Sequence, residues 1–223
     1  RLDERLDGAA MDLIFAEATP PGRGGVSVIR LSGDRARAVA ETLVGSMPLS
    51  RHAYFRAVTH EDEPIDQALA MWFAAGSSFT GEEVAELHLH GAPAVVRRVG
   101  AALLDLGARP ADAGEFTRRA FLHGRMDLAE VEGLGDLLIA ETESQRKLAL
   151  RAAGGELARK LAGWRDMLIE AGALVEVSVD FADEDVPDEV PPRVFDLVAT
   201  LRQALQQELD GFRAAERVRA GFD

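Results

Sequence analysis

The hydrophobic and polar positions change rhythm once along the chain. Up to about Gly107, apolar residues alternate with polar ones in short runs, interrupted by two stretches at helical spacing. "DLIFAEA" (12–18) and "GVSVIRLSG" (25–33) read as strands. In the second, Val26, Val28 and Arg30 fall on one face and Ser27, Ile29 and Leu31 on the other. "DRARAVAETLVG" (34–45) reads as a helix opened by an acid and closed by Gly45. "HAYFRAVTH" (52–60) and "IDQALAMWF" (65–73) read as strands around the turn "EDEP", and "EVAELHLH" (83–90) as another. "APAVVRRVGAALLDLG" (92–107) is a helix with Pro93 in its first turn. The order β-β-α-β-β-β-α with short loops predicts an α+β domain built on a mixed sheet.

From Gly114 onward the strand signal stops. Leu128, Val131, Leu134 and Leu138 recur at helical spacing. Leu157, Leu161, Trp164, Leu168, Ala171 and Val175 then follow in steps of four and three. "DFADEDVPDEVPP" (180–192) carries six acids and three prolines and must be a loop. Phe195, Val198, Leu201, Leu205, Leu209 and Phe212 stripe a further helix. One hairpin cannot cover stripes this long, so the second half is expected to be an incomplete helical domain whose stripes need another helix.

Composition narrows the function classes. The 223 residues are 47% hydrophobic and 28% charged, enough for one large or two small domains with a core. No apolar run approaches the ~20 residues of a membrane helix, and no export signal opens the chain. With no cysteine, disulfides and thiolate metal sites are excluded, and a reducing cytosol fits best. The net charge of -13 argues against nucleic acid covering much of the surface; any such contact should be local or made through a partner. Residues 1–10, "RLDERLDGAA", read as a leader preceding Met11 and are left out of the fold reasoning.

Three segments carry candidate chemistry. "ATPPGRGGVSVIRLSG" (18–33) suggests a phosphate loop, but it has no GK[ST] and leads into a strand. A phosphate loop leads into a helix N-terminus. It reads better as a strand connector, with Arg30 as an isolated charge in an apolar strand requiring an anionic or acceptor partner. In "FTGEEVAELHLHG", Glu86, His88 and His90 share one strand face. They are open to three readings. The first is a zinc set lacking its remaining partners. The second is solvated polar residues. The third is a pocket in which Glu86 accepts two hydrogen bonds from the N–H and amino edge of a flat heterocycle. In "GEFTRRAFLHGRMDLAEVEG" (114–133), Arg118, Arg119 and Arg125 lie near the expected domain junction, where ligands often sit. His52, His60 and His123 have no partner identifiable in the sequence and read as structural or solvated.

Four segments in order, "ATPPGRGGVSVIRLSG", "SFTGEEVAELHLHG", "GEFTRRAFLHGRMDLAEVEGLGDLLI" and "VEVSVDFADED", resemble the MnmE (TrmE) family of bacterial tRNA-modifying GTPases. The resemblance runs over residues 11–223. It implies an aminomethyltransferase-like domain at 11–118 that binds a 5-formyl-tetrahydrofolate-type donor and forms a homodimer. It implies the first part of a helical domain at 119–223, with a Ras-like G domain inserted after it. With the FAD-dependent partner MnmG, such proteins add a (carboxymethyl)aminomethyl group to C5 of the wobble uridine of certain tRNAs. The folate supplies a one-carbon unit, and the G domain hydrolyses GTP with Mg²⁺ and K⁺ in the cytoplasm.

The family's folate contacts map onto Arg30, Glu86 and Arg125. Lysine is usual at the third position; arginine keeps the charge but replaces a compact ammonium with a planar fork. Because the chain carries no GK[ST], no catalytic residue and no GTPase activity are expected in it, and "RVRAGFD" (217–223) reads as the approach to the G domain. The missing helices would then cover the unmatched stripes. Two alternatives stand beside this reading. A stand-alone folate-dependent one-carbon transferase would turn over a methylamine donor. A non-enzymatic dimerisation module would show no folate-dependent rise in melting temperature.

Overall fold

The computed structural model describes residues 12–180 and 190–220. Expectations for the leader at 1–10, most of the acidic loop, the side chain of Phe212 and the last three residues lie outside the described residues. The chain divides into two compact units, the first ending at Met126 and the second beginning at Asp127. The first holds an α+β fold with a six-stranded sheet, and the second is all helix.

The first unit runs β1 (Ile14–Glu17), β2 (Ser27–Ser32), α1 (Ala36–Val44), β3 (Tyr54–His60), β4 (Glu63–Phe73), β5 (Val84–Leu89), α2 (Pro93–Asp105), β6 (Arg109–Pro110) and α3 (Glu115–Leu122). The sheet order is β3-β4-β5-β2-β1-β6. All pairs are antiparallel except β1 with β6, so two residues the sequence did not mark as a strand make the sheet mixed. A two-residue strand carries no periodicity to detect.

Period-2 alternation decides which sheet face is buried. Ile29 and Leu31 of β2, Ala85 and Leu87 of β5, and Ala70 and Trp72 of β4 face one way, where register makes them neighbours. Val39, Ala40 and Leu43 of α1 and Val99, Ala102 and Leu103 of α2 join them in one core. The positions between them, among them Arg30, Glu86 and His88, point to the opposite face.

Two local expectations shift. The β3–β4 turn is only Glu61 and Asp62, both with positive φ (52° and 62°), the backbone of a tight two-residue hairpin. Pro64 of the expected "EDEP" turn already lies in β4, beside a register irregularity at Val58/Thr59, where a ladder tolerates a residue without an N–H. The acid expected to open α1 does not cap it. Arg35 stands at the N-cap without a side-chain bond, and Glu83, from the segment before β5, accepts from the Arg37 N–H at 2.8 Å.

The second unit comprises α4 (Leu128–Leu138), α5 (Glu143–Ala153), α6 (Glu156–Asp180) and α7 (Pro192–Ala220). Asp127 with Glu130, and Thr142 with Gln145, form capping boxes that fix the starts of α4 and α5. On α6 and α7 the named stripes are left largely uncovered by the hairpin, as expected, apart from the buried Ala171 and Leu201. Ala171, Val194 and Leu197 pack together with Met167 and Leu174. Leu161, Leu168, Phe195, Val198 and Leu209 are exposed, and a groove of about 860 Å³ runs along α7 past Phe195 and Val198. Each helix therefore carries two apolar stripes, one used in the hairpin and one open. Among the described residues no helix is long and apolar enough to cross a membrane.

Candidate ligand pocket on the open sheet face

Arg30 and Glu86 are register partners on the antiparallel strands β2 and β5, on the face away from the helices. This placement supplies the partner that a charge in an apolar strand requires. Arg30 Nε and Nη2 both donate to Glu86 Oε1 at 2.8 Å. His88, two residues along β5 on the same face, meets Glu86 Oε2 through Nε2 at 3.1 Å. A carboxylate offers about four lone-pair sites; Arg30 takes both on Oε1 and His88 one on Oε2, so Oε2 keeps capacity for a further donor. The Glu86 side chain is only 13% exposed.

Both residues line a cavity of about 240 Å³. Phe73, Phe79 and Val84 form its apolar wall, and Arg51, Ser77 and Ser78 complete the lining. The apolar wall with a few convergent polar groups is the usual make-up of a small-molecule site. Neither Arg51 nor the phenylalanines were singled out by sequence reasoning; Phe79 belongs to the "FTGE" segment, whereas Arg51 lies in a loop with no motif.

The other candidates separate. His90 lies just past β5 and turns away from Glu86, its Nδ1 meeting Asp66 Oδ1 at 2.6 Å. The Glu86, His88 and His90 zinc set is therefore not assembled, and among the described residues no group of three metal-ligating side chains is placed to hold an ion. Arg125 is exposed and outside the cavity lining, but its stem stands behind the loop that borders it: a Cβ on Gly81 would lie 3.2 Å from Arg125 Cγ and 2.8 Å from His123 Cβ. Gly81 also has φ of +84°, so both space and backbone favour glycine there. His123 Nδ1 meets the Thr80 carbonyl at 2.7 Å, which gives this histidine a structural role.

Arg119 is not part of an exposed basic cluster. It is buried, and its Nη1 donates to both Glu82 oxygens at 3.1 Å while Nη2 donates to Glu115 at 3.0 Å and Asp12 at 2.9 Å. Ser32 Oγ donates to Glu82 Oε2 at 2.6 Å and bonds Thr80 at 2.7 Å. Arg109 donates to Glu115 at 2.6 Å and also reaches Asp12. The Arg109 hydrogen bonds bring the Glu115 carboxyl down to about 2, against the opposing effect of burial. This network ties the 78–82 loop, which forms one side of the pocket, to α3 and to the start of β1.

The glycines of "PPGRGG" act through backbone approach rather than through an anion. Gly24 N donates to Gly91 O at 2.9 Å, and a Cβ on Gly91 would lie 2.5 Å from Gly24 O. The loop is thereby pinned to the end of β5, the strand that carries Glu86.

Comparison with known proteins identifies the family. Residues 13–125 match the family model described as "GTP-binding protein TrmE N-terminus", and residues 128–223 match "MnmE helical domain". A protein of Paracoccus denitrificans named tRNA modification GTPase MnmE is 61% identical over 213 residues, which cover 96% of this chain and 51% of that protein. Proteins of the same name from Cereibacter sphaeroides and Caulobacter vibrioides are 51% and 46% identical, covering 96% and 95% of this chain and 50% and 47% of their own lengths. The chain thus spans about half the length of the curated relatives it matches. From the motif segments to the end of α7 it belongs to the MnmE (TrmE) family.

Proposed function

We propose that the first unit binds a 5-formyl-tetrahydrofolate-type donor in the Arg30–Glu86 pocket and dimerises, as part of a tRNA-modifying GTPase. Glu86 carries this reading: it is a carboxylate beside an aromatic wall, with a lone-pair site left on Oε2 after Arg30 and His88 are served. The open site on Oε2 accepts from the N–H and amino edge of a pterin, and Phe73 and Phe79 offer apolar surface to the ring. Arg30 holds the Glu86 carboxylate in place. Arg125, beside the bordering loop, faces the less buried part of the ligand. The bound folate supplies a one-carbon unit; this chain contributes binding, orientation and partial shielding from water.

In the whole protein, GTP hydrolysis with Mg²⁺ and K⁺ belongs to a G domain, since no GK[ST] occurs in this sequence. Together with MnmG and its FAD, the assembly adds a (carboxymethyl)aminomethyl group to C5 of the wobble uridine of certain tRNAs in the cytoplasm. The net charge of -13 supports tRNA contact made mainly through MnmG or other parts of the protein.

Calorimetric titration with 5-formyl-tetrahydrofolate tests the pocket. Glu86→Ala should weaken binding by roughly 10- to 100-fold, the range for losing hydrogen bonds to a charged acceptor. Equal affinity in wild type and Glu86→Ala would remove the ligand from this pocket.

A further inference from the structure

We propose that Arg51 is a specificity-determining residue of the pocket, receiving a carboxylate on the part of the ligand that projects from the cavity. The proposal rests on the folate reading and adds which portion of the molecule is selected, and by what.

The pocket has two arginines with different charge balance. Arg30 is matched by Glu86 at 2.8 Å. Arg51 has no carboxylate partner among the described residues; its guanidinium makes one hydrogen bond, from Nη2 to the Ser77 carbonyl at 2.8 Å. An arginine carries five N–H donors in a planar fork, so an anchored head with most donors unused is prepared for a bidentate anion. A carboxylate fits that fork better than a single-point acceptor does.

Backbone and depth point the same way. Arg51 adopts φ of 56°, a left-handed conformation uncommon for a residue with a Cβ, and its N–H donates to the Trp72 carbonyl at 2.8 Å. That bond fixes where the side chain leaves the loop, next to Phe73 at the end of β4. Glu86 is deep whereas Arg51 is exposed, so the cavity grades from an acceptor inside to a cation at its rim. At about 240 Å³ the cavity is smaller than the roughly 300–1,000 Å³ of drug-sized ligand sites, so it takes one ring system and the remainder passes the rim. Arg125 stands behind Gly81 and outside the cavity lining, so the two cations address the ligand from different places.

The test is calorimetry on the full chain with two probes, 5-formyl-tetrahydrofolate and a 5-formyl-tetrahydropterin lacking the aminobenzoyl-glutamate, at low and high salt. Arg51→Gln should weaken the glutamate-bearing probe by roughly 10-fold or more, flatten its salt dependence and leave the pterin probe unchanged. Arg51→Lys should recover part of the loss. Circular dichroism and melting temperature should match wild type, because the side chain is exposed. Unchanged affinity for both probes in Arg51→Gln, or equal weakening of both, overturns the assignment while Glu86→Ala still reports on the pocket. If wild type binds neither probe, the folate reading itself fails and the assignment falls with it.

Discussion

Arg119 has three carboxylates around it, and none of them is near it in the sequence except Glu115, one helical turn earlier. Glu82 lies 37 residues away and Asp12 107. The text "FTRRAF" gave no means of telling the exposed Arg118 from the buried Arg119. Arg30 was legible because a lone charge interrupts an alternating apolar strand. Glu86 was legible because its strand phase matches that of His88. Arg51 had no phase at all, since it sits in a loop where position is set by tertiary contacts.

The same network has a pH consequence. Glu115 has a folded-state value of about 2 against an ordinary 4.5. A depressed carboxyl contributes stability that is complete above the unfolded value and is lost as pH falls toward the folded one. Its share, about 3 kcal/mol on the linkage scale, should therefore be fully present above about pH 5.5 and disappear between about pH 5 and 2. Urea unfolding of wild type across that range should show the decline. Glu115→Gln should start lower and fall less steeply; an identical slope in both would place the acid sensitivity elsewhere.

At the scale of elements, alternation and capping residues located β1 to β5, α1, α2 and the start of α4 to within about two residues. Periodicity was less informative for α6 and α7. Both helices are apolar on two sides, and a moment calculated along one helix cannot say which side meets its neighbour. Burial of Val194 and Leu197, positions outside the named stripe, came from pairing, not from the pattern, while Phe195, Val198 and Leu209 stay open as that pattern implied. The contact of α4 with α5 was also invisible. It depends on Gly133, where an added Cβ would lie 2.4 Å from Ala153 N and 2.7 Å from Ala152 C. Both atoms are backbone and cannot swing aside. Gly133→Ala should destabilise the second unit by about 1–3 kcal/mol, the usual cost of overpacking. Chemical denaturation would register this as a lower midpoint at unchanged slope, and an unshifted midpoint would mean that the helices separate without cost.

For the molecule as a whole, the loss of strand rhythm announced a helical second half, but the expected boundary at 118/119 falls inside α3, whereas the units divide at Met126/Asp127. The two family matches, ending at 125 and starting at 128, fall on either side of the same place. The unpaired stripes of α6 and α7 leave the helical unit with apolar surface a monomer seldom exposes.

The long-range ion network also sets an order of events during synthesis. Glu82 and Asp12 leave the ribosome well before α3, yet the guanidinium that neutralises Glu82 is at position 119. Until α3 emerges, closing the 78–82 loop would bury an unpaired carboxylate, at about 3–5 kcal/mol out of a domain's typical 5–15. The sheet should consequently complete late and cooperatively, with the first unit's last-made helix admitting its first-made strand. A chain stopped at Ala113 should lack a cooperative thermal transition, whereas one stopped at Met126 should show it. Equal transitions in the two would mean that the sheet closes without waiting for Arg119.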